Sequence, residues 1–195
     1  MRKNKALFLF FILFYFCTCV LDLLLTYYAT PNLQLEGNPL VLRLEFGWFD
    51  LILINFVTFF FYFLMCRYAF LRYRPVLSSE TESLRRYLAD ITYGDPEKAN
   101  MGMWKWPKNW APQIACLCWS VAVALPFARL FVVLEWALII AKIPATSFFR
   151  FVAFFPYGRV DFFLAVLLAW GFSFVWIALS FRQNKSEYLR LRNNR

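Results

Sequence analysis

The sequence predicts an all-α fold: a polytopic membrane protein with four transmembrane helices in two hairpins, plus a short amphipathic helix at the membrane interface. Three observations carry this reading. The chain is 62% hydrophobic and 22% aromatic, with 25 Phe among 195 residues, whereas a soluble domain is typically about 45–50% apolar. The apolar residues are gathered into runs over 6–28, 49–66, 112–134 and 160–181, each close to the ~20 residues that a span requires. The charges lie almost wholly between these runs and are strongly biased in sign. The whole chain, 1–195, reads as a single four-span domain.

The first run follows Met-Arg-Lys-Asn-Lys. It is longer than the apolar region of a signal peptide, and no small-x-small cleavage site follows, so it reads as a retained signal anchor. The second run opens at Phe46-Gly47-Trp48-Phe49-Asp50 and the fourth at Tyr157-Gly158-Arg159-Val160-Asp161. Both are aromatic-Gly-x-x-Asp. Gly frees the turn and Asp complements the positive helix N-terminus, so the match fits either local convergence or a duplicated hairpin. The third run extends toward residue 141, about 45 Å of helix, and Pro126 should kink it. Lys142, Pro144 and Pro156 break the chain beyond it, and residues 146–155 read as lying along the outer interface.

Basic residues orient the spans. Arg2, Lys3 and Lys5, eight Lys or Arg in the 67–111 loop, and five in the tail fall on one side. Only Arg43, Lys142, Arg150 and Arg159 fall on the other, and Arg129 lies inside a span. Sixteen against four assigns both termini to the cytoplasm. The formal charge of +9 is therefore topology and contact with anionic lipid, not nucleic-acid binding. Within the cytoplasmic loop, Ser79-Glu-Thr-Glu82 fits a capping box. It should open a short helix with Leu84, Leu88 and Ile91 on one face. Tyr93-Gly-Asp-Pro96 then turns the chain. Trp104, Trp106 and Trp110, interleaved with Lys105 and Lys108, suit the headgroup layer.

Composition excludes several chemistries. There is no His, which removes HExxH zinc sites, histidine triads and histidine phosphate relays. Cys17 with Cys19, and Cys116 with Cys118, are two apart on helices and point to different faces. With Cys66 they read as small apolar packing residues. No GxSxG, phosphate-binding Gly loop or nucleophile–base pair occurs. No cofactor or metal is expected.

The candidate site comes from polar residues placed by depth. Asp22 lies about 24 Å and Arg129 about 26 Å along their spans from the cytoplasmic end. They share a level, and an ionisable residue inside a span is costly unless paired. Arg129 and Glu135 are separated by about 600° of helical rotation and do not share a face, so Asp22 is the depth-matched partner. Thr26 follows Asp22 by one turn. Glu36, Asn38 and Asp161 map to the same outer side, as do Glu45, Asp50, Glu135 and Arg159. Two readings compete. In one, Asp22 and Arg129 pin two helices, Thr26 bonds to backbone, and Asn38-Pro39 is a turn. In the other, Asp22, Thr26, Glu36, Asn38, Arg129 and Asp161 line an outward-open pocket for a small polar ligand, a proton or a lipid headgroup.

The string Asp22-x-x-x-Thr26 followed by Glu36-x-Asn38-Pro39-Leu40 resembles a family of small bacterial membrane proteins. These carry an Asp and a Thr late in one span and a Glu-x-Asn-Pro loop before the next. The resemblance covers residues 20–40, and Leu25 stands where that family often has a second Thr. It implies Asp22, Thr26, Glu36 and Asn38 as site residues and implies no substrate.

The expected function is that of a non-enzymatic membrane subunit or binding protein of the bacterial cytoplasmic membrane, with a polar cluster near the outer leaflet. Its expected partners are the lipid bilayer and other membrane subunits or copies of itself. The alternatives are a small oligomeric transporter or channel-like protein, and a membrane enzyme acting on a lipid-linked substrate. The nearly charge-free inner halves of the spans weigh against an ion path.

Overall fold

A computed structural model describes residues 4–33, 46–100, 106–142 and 160–193. Glu36, Asn38 and residues 146–155 lie outside these ranges. Five α-helices occur among the described residues: α1 (Lys5–Ala29), α2 (Trp48–Arg67), α3 (Leu84–Tyr93), α4 (Ala111–Ile140) and α5 (Val160–Asn193). Four of them are long and apolar enough to cross a bilayer, and α3 is the short exception. The chain is a multi-pass, all-helical membrane protein whose apolar helix faces meet lipid.

The ends of the spans depart from the expected ones in two places. Beyond Arg67, α2 continues through a π-helical turn, Tyr68–Arg72, so its apolar stretch runs six residues past the expected end at 66. Tyr68, Ala69, Phe70 and Leu71 supply the extra length, and Ala69 and Phe70 are buried in the core. At the other end of the chain, α5 runs through the basic tail to Asn193 without a break. No Gly or Pro follows Gly171 to stop it.

The third long helix, α4, is the centre of the bundle. It packs most extensively on α5 and next on α1. Half of its most apolar stretch is buried, against 22% or less in the other spans. Ala115, Cys118, Ser120, Ala122, Ala124 and Ala128 are all buried along it. Small residues let helix backbones approach closely, which is how helices associate where lipid removes the hydrophobic drive. Against this stripe lie Phe11, Tyr15 and Cys19 of α1 and Tyr62 and Cys66 of α2. Tyr15 and Tyr62 meet with ring centroids 4.1 Å apart.

On the side of the α1 N-terminus, Asn4 donates its backbone N–H to the Phe70 carbonyl at 3.3 Å, and α3 docks against α4 and α5. The cap of α3 differs from expectation. Ser83, not Ser79, accepts from the Arg86 N–H at 3.4 Å, and the helix starts at Leu84. Residues 78–80 are held away from helical pairing by Asn184 of α5. Its Oδ1 accepts from Ser78 N–H at 2.8 Å, and its Nδ2 donates to the carbonyls of Ser78 and Glu80 at 3.0 and 3.1 Å. Tyr87 and Ile91 bury the inner face of α3, whereas Leu84, expected on that face, is exposed. Gly94 ends the helix in the left-handed region at φ 68°, the conformation that glycine adopts at little cost. Burial pushes the Tyr87 phenol up to about 12, and the Ser180 hydroxyl opposes that shift.

Candidate functional site

The site is built where α1, α2 and α4 meet. Asp22 is on α1, seven residues before its end, and Arg129 is on the second half of α4. Arg129 Nε lies 3.1 Å from Asp22 Oδ2, and both side chains are largely shielded. The depth match thus corresponds to a real ion pair. A third member, Asn55 of α2, was not anticipated: its Oδ1 accepts from Arg129 Nη2, while its Nδ2 donates to the Leu51 carbonyl one turn earlier at 2.9 Å. The amide therefore turns its oxygen to the cation and its donor to its own backbone. Cys19 lies close to Arg129 and Tyr15. Thr26 is buried one turn beyond Asp22.

A signal for Asn55 was present in the sequence. It stands seven residues, about 10 Å of helix, inside the start of α2, and Asp22 stands the same distance inside the end of α1. Depth matching restricted to charged residues passes over it.

A second polar junction lies deeper, toward α3. The Tyr62 hydroxyl is 2.8 Å from the Ala122 carbonyl of α4 and 3.1 Å from the Phe11 carbonyl of α1. The sequence explains the first contact. The Ala122 carbonyl would normally accept from the N–H of residue 126, which is Pro126 and has none. Tyr62 supplies the missing donor from a neighbouring helix, so α4 remains helical from Ala111 to Ile140 around an internal proline. In a bilayer a freed backbone group needs such a partner, because no water is at hand.

The two junctions have one logic. Arg129 of α4 reaches α1 and α2 through side chains, and Tyr62 of α2 reaches α1 and α4 through backbone. Each clasps the same three helices at a different depth.

The remaining candidates are not gathered here by any described contact. Asp161 is in the first turn of α5, and Glu36 and Asn38 are outside the described residues. At the start of α2, Asp50 Oδ2 accepts from the Gly47 N–H at 3.1 Å, the helix-start role expected of the first aromatic-Gly-x-x-Asp element. Trp48 fixes the same end by donating Nε1–H to the Pro31 carbonyl at 2.7 Å. Among the described residues no group of His, Cys, Asp or Glu is arranged to hold a metal ion. No protein-family model, curated protein or solved structure matches this chain.

Proposed function

We propose that the protein is a non-enzymatic membrane subunit or binding protein of a bacterial cytoplasmic membrane, with both termini inside. One observation carries the reading: the charged centre is spent on joining helices. Asp22 and Arg129 face each other, Asn55 completes the guanidinium's surroundings, and the deeper hydroxyl of Tyr62 is spent on backbone. Polar groups used in this way build a fixed three-helix unit and leave the reacting groups of a catalyst unsupplied. Little of the apolar stretches of α2 and α5 is buried, which suits a protein that meets lipid and other membrane helices.

The experiment is affinity purification of the full chain from its own membrane in mild detergent, with mass spectrometry of what accompanies it. The expected result is a stoichiometric membrane-protein partner or a defined homo-oligomer. A monomer that by itself moves ions across vesicles, and loses that activity in a well-folded Asp22→Asn variant, would refute the reading.

A further inference from the structure

A cleft of about 280 Å³ opens between α3, α4 and α5, well away from the Asp22–Arg129 centre. Leu88 and Ile91 of α3, Leu117 of α4, and Trp176 and Ile177 of α5 form its apolar walls. It lies over the first two turns of α4. On α5 it begins 13 residues, about 20 Å of helix, in from Val160, so it sits at the membrane boundary on the side of α3. Its volume is just under the range usual for drug-sized ligands, ~300–1,000 Å³, and its apolar walls suit a single hydrocarbon chain.

The rim differs from the walls. Thr92 ends the α3 wall, and its carbonyl accepts the backbone N–H groups of both Lys108 and Asn109 at 3.1 Å. These bonds hold the backbone of Lys108, an exposed cation, against Thr92 at the end of the cleft wall. Asp95, the nearby acid, is engaged by Lys98 at 3.1 Å and also feels the charge of Lys108. Gln113 donates Nε2–H to Thr92 Oγ1 at 2.9 Å, and its Oε1 has no partner among the described residues. Trp106 and Trp110, paired at 5.8 Å between ring centroids, flank the same loop. Trp beside Lys marks the headgroup layer.

We infer that this cleft binds one anionic glycerophospholipid, with an acyl chain between α3, α4 and α5 and its phosphate at Lys108. Charge complementarity selects the occupant. An apolar slot ending at a cation fits a lipid with an anionic headgroup better than a zwitterionic one. Because α3 forms one wall, bound lipid also fastens α3 to the bundle.

The test uses the full chain, delipidated in neutral detergent, with dioctanoyl phosphatidylglycerol and dioctanoyl phosphatidylcholine titrated separately and thermal unfolding as the readout. Phosphatidylglycerol should stabilise saturably. Lys108→Gln should weaken it about fivefold, the worth of one basic residue at an anionic lipid surface, and abolish the preference between the two lipids. Leu117→Trp or Ile177→Trp should fill the cleft, leave lipid-free melting close to wild type, and remove saturable stabilisation by both. Phosphatidylglycerol bearing a photoreactive acyl chain gives an independent readout on the unaltered chain, and label should fall within 88–92, 112–117 and 173–177. Unsaturable, headgroup-blind stabilisation overturns the proposal. So do label outside those segments and a lipid-independent dimer crosslinked through position 117.

Discussion

Tyr62→Phe is the sharpest test of how this bundle is held together. The substitution removes one oxygen and leaves the ring. In the native protein that oxygen is nearest the Ala122 carbonyl, at 2.8 Å, where Pro126 offers no N–H. The Phe11 carbonyl, at 3.1 Å, retains its own helical donor, so its loss matters less. Hydrogen bonds between membrane helices average about 0.6 kcal/mol and reach about 1.7 kcal/mol. Leaving a buried acceptor wholly unpaired costs about 1–3 kcal/mol. Tyr62→Phe should therefore destabilise the protein by about 1.5 kcal/mol, near the top of the interhelical range. In a Pro126→Ala background, residue 126 regains its N–H, the Ala122 carbonyl is satisfied within α4, and the same change should cost about 0.5 kcal/mol. The coupling of about 1 kcal/mol is measurable by unfolding in mixed dodecylsulfate–dodecylmaltoside micelles, followed by tryptophan fluorescence and far-ultraviolet circular dichroism. Equal costs in the two backgrounds, within about 0.3 kcal/mol, would show that Tyr62 does not replace the proline's missing donor.

The other predictions concern the charge centre, the threading and the docked loop. Arg129→Ala strands Asp22 and should cost about 3 kcal/mol, in the range for breaking a buried pair, and Asp22→Asn with Arg129→Gln should cost less than the sum of the singles; strict additivity in detergent melting curves refutes the contact. In a cysteine-free background, Asn32→Cys should label only from the outside of right-side-out vesicles and Trp106→Cys only after permeabilisation, and the reverse pattern inverts the topology. Asn184→Ala removes three hydrogen bonds to residues 78–80. It should speed amide exchange and proteolysis over 74–82 while α1 and α4 stay protected, and unchanged exchange there refutes the latch. The Tyr87 phenol is raised to about 12, so the docking of α3 that it supports is fully present below the ordinary tyrosine value of about 10 and is lost as pH rises toward 12. The difference in phenolate absorbance between wild type and Tyr87→Phe should titrate near the upper figure, and a midpoint near 10 refutes the burial.

Hydropathy and charge bias are strong, summed signals, and they located all four spans and the helix in the loop. The pairing of Asp22 with Arg129 was legible for a related reason: an unpaired charge in lipid is so costly that two charges at one depth nearly specify a contact. Neutral polar groups carry no such penalty, so their partners were not. Asn55 sits at the level of Asp22 yet reads as one amide in an apolar run. Tyr62 stands only four residues before 66, where the apolar run ends in the sequence. The π-helical turn carries α2 on to Arg72, and measured from there Tyr62 is ten residues deep, about 15 Å. Ala122, eleven residues into α4, is at about the same level. Pro126 announces a carbonyl in need of a donor, but which helix provides it depends on where α2 ends, and that was set by local winding that the hydropathy pattern does not encode. The cap of α3 is a similar case. Ser79 and Ser83 both open acceptable starts, and the choice of Ser83 follows from Asn184, more than a hundred residues away, holding 78–80 in non-helical pairing.

The two clasps also explain why a bundle with so little of α2 buried can hold a unique register. Lipid is as apolar as the Leu and Phe side chains that α2 presents, so their contacts with other helices are barely preferred over contacts with acyl chains. Directional bonds are what remain. A one-residue slide of α2 along its neighbours moves Asn55 and Tyr62 by about 1.5 Å and turns both away by about 100°. The slide would uncouple Asn55 from Arg129 and expose the Ala122 carbonyl at once. Two junctions at different depths are harder to satisfy in any shifted register than one. On this argument Asn55→Leu, which suits lipid better than Asn does, should still loosen α2. Crosslinks between cysteines placed on α2 and α1 should spread from one register to several in that variant and, more widely, in Asn55→Leu combined with Tyr62→Phe. A single sharp crosslinking register in the double variant would show that apolar packing alone positions the helix.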